Sequence, residues 1–310
     1  MSFSSEAKAE LCRVETPHDC CRAAECYGLF LFGGSFSASS VSFLTESAPV
    51  ARRAAQEAAA AIGVFVESAS AVVRRGGKTT FSVSVPGEDQ RLRFLHAFSH
   101  RSSELNLRIH DENMKCEGCV QAFLRGAFLC CGTVMSPEKG YHLEFSVPFM
   151  RLAGDLSELL ARAGGLGLQP GSVNRKGKYV VYIRGSECVA DLLTYLGAQN
   201  ASMELMQAKM LKEMRNNLNR RNNFETANID KTANAAARQL LALEQIQNTI
   251  GIEALPEDLR ELAALRLENP DLTLRELGGM LRQPLSRSGV NHRLRRIVEL
   301  AEQTRSRDSD

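Results

Sequence analysis

No stretch of this chain stays apolar for as many as 18 residues, which argues against a membrane-spanning helix. The opening MSFSSEAKAELC has no apolar core of the kind a secretory signal carries, so a cytoplasmic protein with no membrane partner is expected. A large excess of charge of one sign is missing too, because 38 Lys and Arg stand against 36 Asp and Glu, a net charge of +2. Any nucleic acid would therefore be held by local charge and not by the chain as a polycation. Nine cysteines, at 12, 20, 21, 26, 116, 119, 130, 131 and 188, are an odd number without an export signal, which argues against a disulfide framework. Cys116-x-x-Cys119 has metal-type spacing but no second pair downstream, and Cys130 and Cys131 sit in an apolar run where free cysteine acts as a small hydrophobe. The thiols are read as buried or incidental, and neither a metal nor a cofactor is assigned. What remains is an ordinary globular composition, 44% hydrophobic and 24% charged over 310 residues, enough for two or three domains.

The first positive signal is a repeat. Residues 26–34 read CYGLFLFGG and residues 124–132 read LRGAFLCCG, with glycine third and last in both; Gly28 and Gly126 are 98 residues apart. The sequence after the first copy predicts a β-like stretch, an alanine-rich helix, a hairpin around Gly76-Gly77 and a short helix. After the second copy it predicts a hairpin turning at Pro137-Glu138-Lys139-Gly140, a helix through MRLAGDLSELLARAG, a hairpin around Lys176-Gly177 and a last helix. The same order at a nearly fixed offset points to internal duplication.

Near residue 203 the texture changes. Residues 205–240 are helical in propensity, rich in Asn, and carry seven Lys or Arg against Glu213, Glu225 and Asp230. They read as a basic helical linker, either solvated or running beside phosphate. From Leu255 a third unit begins. Pro256 suits a helix start, Asn269-Pro270 a stop, and Thr273 with Glu276 forms a capping box for a helix placing Leu274, Leu277, Gly278 and Leu281 on one face. After Gln283-Pro284, Ser286 can cap a final helix striped by Val290, Leu294, Ile297 and Ala301. Three short helices with a tight turn before the last have the form of a helix-turn-helix. Opposite the stripe fall Ser288, His292, Arg295 and Arg296, with Asn291 beside them and Arg287 in the first turn. These seven residues, Ser286 included, are the expected DNA-binding set, since Arg forks onto guanine, Asn bridges adenine, and Ser holds phosphate. Residues 282–307 hold seven Arg against Glu299 and Glu302.

The repeated nine-residue frame aligns with the LAGLIDADG signature of homing endonucleases. Small residues there let two helix backbones approach, so Gly28, Gly34, Gly126 and Gly132 are read as a helix-packing motif. In those nucleases the acid before the last glycine holds a divalent metal at the scissile phosphate. Here those positions are Gly33 and Cys131. Glycine has no ligand and a thiol is a poor magnesium ligand, so no catalytic residue is assigned. The alternative, a metal-dependent LAGLIDADG DNA endonuclease, would have to use displaced acids such as Glu46, Glu138 or Glu144.

A degenerate LAGLIDADG pair followed by a helix-turn-helix resembles the WhiA family of bacterial regulators. The stretches carrying the resemblance are SFSSEAKAEL, FLRGAFLCCGTVMSPEKGYHLEF, NRRNNFETANIDKTANAAARQ and LPEDLRELAALRLENPDLTLRELGGMLRQPLSRSGVNHRLRRI. It implies an α+β fold: a duplicated αββαββα saddle at 1–202, a basic helical linker at 203–252, a small all-α helix-turn-helix domain at 253–304 and a tail at 305–310. It also implies a transcription regulator linked to sporulation, cell division and chromosome segregation, with an inactive endonuclease-like domain, associated with the nucleoid. Double-stranded promoter DNA is the expected partner, with another transcription regulator or RNA polymerase as a protein partner, and the N-terminal half could serve either DNA or protein.

Overall fold

The duplication expected from the sequence is laid out in the chain as two copies of one helix–hairpin–helix–hairpin–helix order. The computed structural model describes residues 2–72, 79–102, 104 and 106–307; the turn at Gly76-Gly77 lies outside them. The first copy comprises α2 (Asp19–Leu31), β1 (Ser35–Phe36), β2 (Val41–Thr45), α3 (Ala48–Ile62), β3 (Glu67–Val72), β4 (Thr79–Ser84) and α4 (Glu88–Ala97), preceded by α1 (Phe3–Leu11). The second comprises α5 (Glu117–Cys131), β5 (Gly132–Val134), β6 (His142–Val147), α6 (Met150–Arg162), β7 (Gly171–Arg175), β8 (Lys178–Arg184) and α7 (Ser186–Leu196). Each copy folds its strands into an antiparallel sheet, ordered β1-β2-β4-β3 and β5-β6-β8-β7. The pattern αββαββα thus occurs twice.

Local chemistry explains these elements. Along β6, Leu143, Phe145 and Val147 are buried while the residues between them are half-exposed, the period-2 pattern of a one-sided sheet. The β7–β8 turn has both central residues at positive φ, Lys176 at 51° and Gly177 at 79°, as a tight two-residue hairpin requires. Helix α3 starts with Pro49 in its first turn and ends at Gly63 in the left-handed region (φ 67°), whose N–H donates to the Ala59 carbonyl. The core between the sheets and helices is aromatic, with Tyr27, Phe30, Phe43, Phe94, Phe98, Phe123, Phe128 and Phe145 buried. Each such ring contributes roughly 1.5–3 kcal/mol by leaving water.

The chain divides into two units, Met1–Glu213 and Met214–Asp310, and the division falls inside one helix, α8 (Gln199–Thr249). Residues 203–252, read from the sequence as a linker, are therefore not uniform. Leu205 is buried in the N-terminal core, whereas Ala242, Leu243 and Ile246 are buried in the C-terminal one. The second unit adds α9 (Glu257–Glu268), α10 (Leu274–Met280) and α11 (Arg287–Arg307). Helix α11 continues through Arg307, into the segment read as a tail.

Candidate nucleic-acid interface

In the N-terminal unit the repeated frames meet back to back where α2 crosses α5. A Cβ built on Gly28 would overlap the Phe123 carbonyl oxygen and lie 3.0 Å from Ala127 N. One built on Gly126 would overlap the Glu25 carbonyl oxygen and lie 2.9 Å from Leu29 N. The contacts are mutual, each glycine facing the backbone of the other copy. Gly34 and Gly132, grouped with them from the sequence, stand past the helix ends. Gly34 has φ 90° and open space around it, and a Cβ on Gly132 would press into Phe128 of its own helix.

The motif ends offer no carboxylate. A side chain at Gly33 would start 2.6 Å from the Phe43 Cβ and 2.7 Å from the Ser42 carbonyl oxygen, so strand β2 fills the place where an acid would stand. Cys131 closes α5 part-buried, and burial, then the neighbouring Cys130, holds its thiol well above the ordinary range. Glu144 lies on β6 beside His142 Nε2 (3.1 Å) and Arg175 Nη1 (3.4 Å). Glu138 is exposed in the β5–β6 turn.

Between the frames the sequence reading missed a buried charge network. Glu25, with no exposed surface, accepts from Arg125 Nη2 at 2.8 Å and from Arg53 Nε at 2.9 Å, while the Thr16 hydroxyl donates to it at 3.1 Å. Two positions on, Tyr27 takes the place that Arg125 holds in the other copy. Burial, then the neighbouring His110, pushes the His100 pKa down, so the ring is neutral near pH 7. Its Nδ1–H donates to Glu104 (2.7 Å) and its Nε2 accepts from the Tyr27 hydroxyl (2.8 Å). Two copies of one motif have thus become chemically different inside.

The C-terminal unit presents the charged face. Thr273 and Glu276 form the reciprocal capping box at α10, with the Glu276 carboxylate accepting from Thr273 N at 2.8 Å. Gly278 of α10 packs on the following turn, where Leu285 N donates to its carbonyl at 3.0 Å and a side chain would collide with the Leu285 carbonyl oxygen. Ser286 Oγ accepts from Gly289 N at 3.2 Å and caps α11. Val290, Leu294, Ile297 and Ala301 are buried, which turns Ser288, His292, Arg295 and Arg296 outward. Arg296 is not free, because its Nη1 donates to Asp258 of α9 at 2.9 Å. Arg287, Ser288 and Asn291 line a groove of about 780 Å³ together with Lys231, Arg266 and Arg275. Arg266 and Arg275 were not singled out from sequence, and Lys231 was one of the seven cations of the basic linker. Arg266 is buried, donates to the Leu272 carbonyl at 2.7 Å and leaves its Nε without a partner among the described residues. An arginine falling on the apolar stripe of Leu259, Leu262 and Ala263 was the signal that could have found it.

No helix of the described residues is long and apolar enough to cross a membrane. Residues 120–215 match the model of the WhiA LAGLIDADG-like domain, and residues 218–301 match that of the WhiA C-terminal HTH domain. The chain is 38% identical over 319 residues to the probable cell division protein WhiA of Ruminiclostridium cellulolyticum, covering 98% of both chains. It is 41% identical over 312 residues to that of Desulfitobacterium hafniense (strain Y51), covering 97% of this chain and 96% of the relative. Its structure is similar to that of full-length WhiA from Thermatoga maritima, with a TM-score of 0.61 and 25% identity, covering 98% of this chain and 99% of the other. Two successive domain matches, relatives of this identity along nearly the whole length and the twice-repeated αββαββα fold before a helix-turn-helix agree: the chain belongs to the WhiA family.

Proposed function

We propose that this protein is a sequence-specific DNA-binding transcription regulator acting in cell division, sporulation and chromosome segregation, located on the nucleoid in the cytoplasm. The observation that carries the reading is the outer face of α11, where Ser288, His292 and Arg295 are exposed over a buried apolar stripe. Its first turns open on a groove whose exposed cations are Lys231, Arg275 and Arg287. A helix of this form enters the major groove, base edges meeting its polar face and phosphates the surrounding cations. Cell division enters from the names of the relatives. In this reading the N-terminal unit keeps the nuclease fold without nuclease chemistry and serves a protein partner, another transcription regulator or RNA polymerase.

Footprinting on the strongest genomic site, followed by binding assays at two salt concentrations, tests the reading. Arg295→Ala is expected to weaken binding by about 1–3 kcal/mol, either relaxing one base position or flattening the salt dependence. Asn291→Ala should act on specificity and leave the salt slope intact, because an amide releases no counterion. Arg296→Ala should cost less, since this side chain must first leave Asp258, a surface pair worth at most about 1 kcal/mol. If Arg295→Ala and Asn291→Ala both bind like the parent, α11 is not the reader.

A second expected outcome concerns catalysis. With magnesium or manganese the protein should leave plasmid DNA uncut, and Cys131→Asp should not create cleavage because the opposite position is Gly33. Gly33→Asp should instead lower stability, its Cβ being driven into Ser42 and Phe43 of β2. Site-specific cutting by the unaltered chain at stoichiometric protein would overturn this part of the reading.

A further inference from the structure

Four cysteine sulfurs converge where the N-terminal ends of α2 and α5 meet, and DNA recognition makes no use of them. Cys20 and Cys21 lie in the first turn of α2; Cys116 immediately precedes α5 and Cys119 lies in its first turn. The Sγ–Sγ separations are 3.7 Å for Cys20–Cys116, 3.5 Å for Cys21–Cys116, 3.8 Å for Cys21–Cys119 and 3.4 Å for Cys116–Cys119. All four sulfurs lie within 4.8 Å of one another.

We propose that these four cysteines bind one zinc ion that clasps the first half of the N-terminal unit to the second. A tetrahedron of thiolates at about 2.3 Å from zinc has edges of about 3.8 Å. Four of the six edges here lie at or just below that length. A disulfide would need two sulfurs at about 2.05 Å, and an iron–sulfur cluster would hold its cysteines further apart with its own iron and sulfide. Hydrophobic packing does not account for the convergence either, because Cys116 is exposed and Cys20 half-buried, unlike Cys26, which is a small hydrophobe in the core. Gly118, inside the Cys-x-x-Cys pair, supplies an independent sign. A Cβ there would sit 3.2 Å from Cys21 Sγ and 3.8 Å from Cys116 Sγ, so the absence of a side chain is what lets the sulfurs of the two helices close on one centre.

The electrostatics suit the ion. Four thiolates about a dication leave two negative charges, and the site stands at the N-terminal ends of two helices, α2 with 13 residues and α5 with 15, whose free N–H groups favour negative charge. Soft sulfur donors in a tetrahedral arrangement select zinc over magnesium or calcium, and zinc imposes no geometry of its own. Half of this site is visible as a motif in the chain. Cys116-x-x-Cys119 lacks a downstream partner because its partner is the upstream Cys20-Cys21 pair, about a hundred residues earlier and brought close by the duplicated fold.

The test is the metal content of the untagged full-length chain, purified under reducing, chelator-free conditions. About one zinc per chain is expected, as a structural site holds its metal through purification. Cys20→Ser/Cys116→Ser should lose most of it, while Cys188→Ser, outside the cluster, should retain it. Cobalt(II) added to the reduced, zinc-stripped wild-type chain should give the visible bands of a tetrahedral tetrathiolate site, a readout that does not require the variants to fold. Negligible metal in the wild type together with no such bands overturns the proposal. So does iron in place of zinc, full zinc in the double serine variant, or a disulfide among these four in the freshly isolated chain.

Discussion

Glu25→Ala is expected to cost the N-terminal unit about 3–5 kcal/mol, the loss typical of breaking a buried ion pair from one side. Folded domains have only about 5–15 kcal/mol to lose, so the variant should be largely unfolded or poorly soluble near physiological temperature. The reason is the unequal position of its partners. Arg53 keeps Glu57 at 3.0 Å, but Arg125 is 3% exposed and among the described residues would retain only the Thr16 hydroxyl at 3.0 Å and the Leu196 carbonyl at 3.3 Å. A guanidinium cannot shed its proton to escape, so the stranded charge stays buried. Chemical denaturation followed by far-ultraviolet circular dichroism measures the loss. Glu25→Leu combined with Arg125→Met should recover a large part of it, because removing both charges removes the desolvation cost as well. A loss below about 1 kcal/mol for Glu25→Ala would mean that the guanidinium finds water.

Gly126→Ala should also destabilise, by about 2–3 kcal/mol or more, even though alanine favours an isolated helix over glycine by about 1 kcal/mol. The added methyl falls on the Glu25 carbonyl and 2.9 Å from Leu29 N, both parts of the α2 backbone, which cannot rotate away as a side chain can. The helices must then move apart where α2 crosses α5 and lose packing on both sides. Gly154→Ala in α6 is the control. Nothing lies within 4 Å of a Cβ there, so it should gain a few tenths to about 1 kcal/mol. If the two variants shift the denaturation midpoint alike, close approach is not the role of Gly126.

The fold was legible because it is written in local signals. The Pro137–Gly140 turn marked β5–β6, the Lys176-Gly177 turn marked β7–β8, and the Thr273–Glu276 box with the Val290–Ala301 stripe placed α10 and α11. The 98-residue echo of Gly28 in Gly126 exposed the duplication. Pairings between distant residues leave no such trace. Glu25 and Arg125 are 100 residues apart, and nothing in the period of either helix announces that they meet. The same applies to the four cysteines and to Arg296, which looked like a free cation until Asp258 was found beside it. In the glycine frame, sequence spacing grouped four residues, whereas only the two at the crossing face the opposite backbone; Gly34 and Gly132 recur because both helices must stop there and turn into a strand.

Helix α8 has a consequence for how the molecule breathes. Its two ends are sunk in two different apolar cores, through Leu205 at one and Leu243 and Ile246 at the other, while residues 210–235 are exposed without interruption. That stretch includes seven asparagines, a residue whose helix propensity is poorer than alanine's by about half a kcal/mol. It is held by its own backbone bonds and scattered surface pairs such as Arg221–Glu225 at 3.0 Å. Helices ordinarily fray from their tips inward, because the tips have the fewest bonds to lose. Here the tips are pinned by tertiary contact while residues 213–230 are exposed throughout, so the order is reversed: the first backbone amides to open lie at the centre of an unbroken helix.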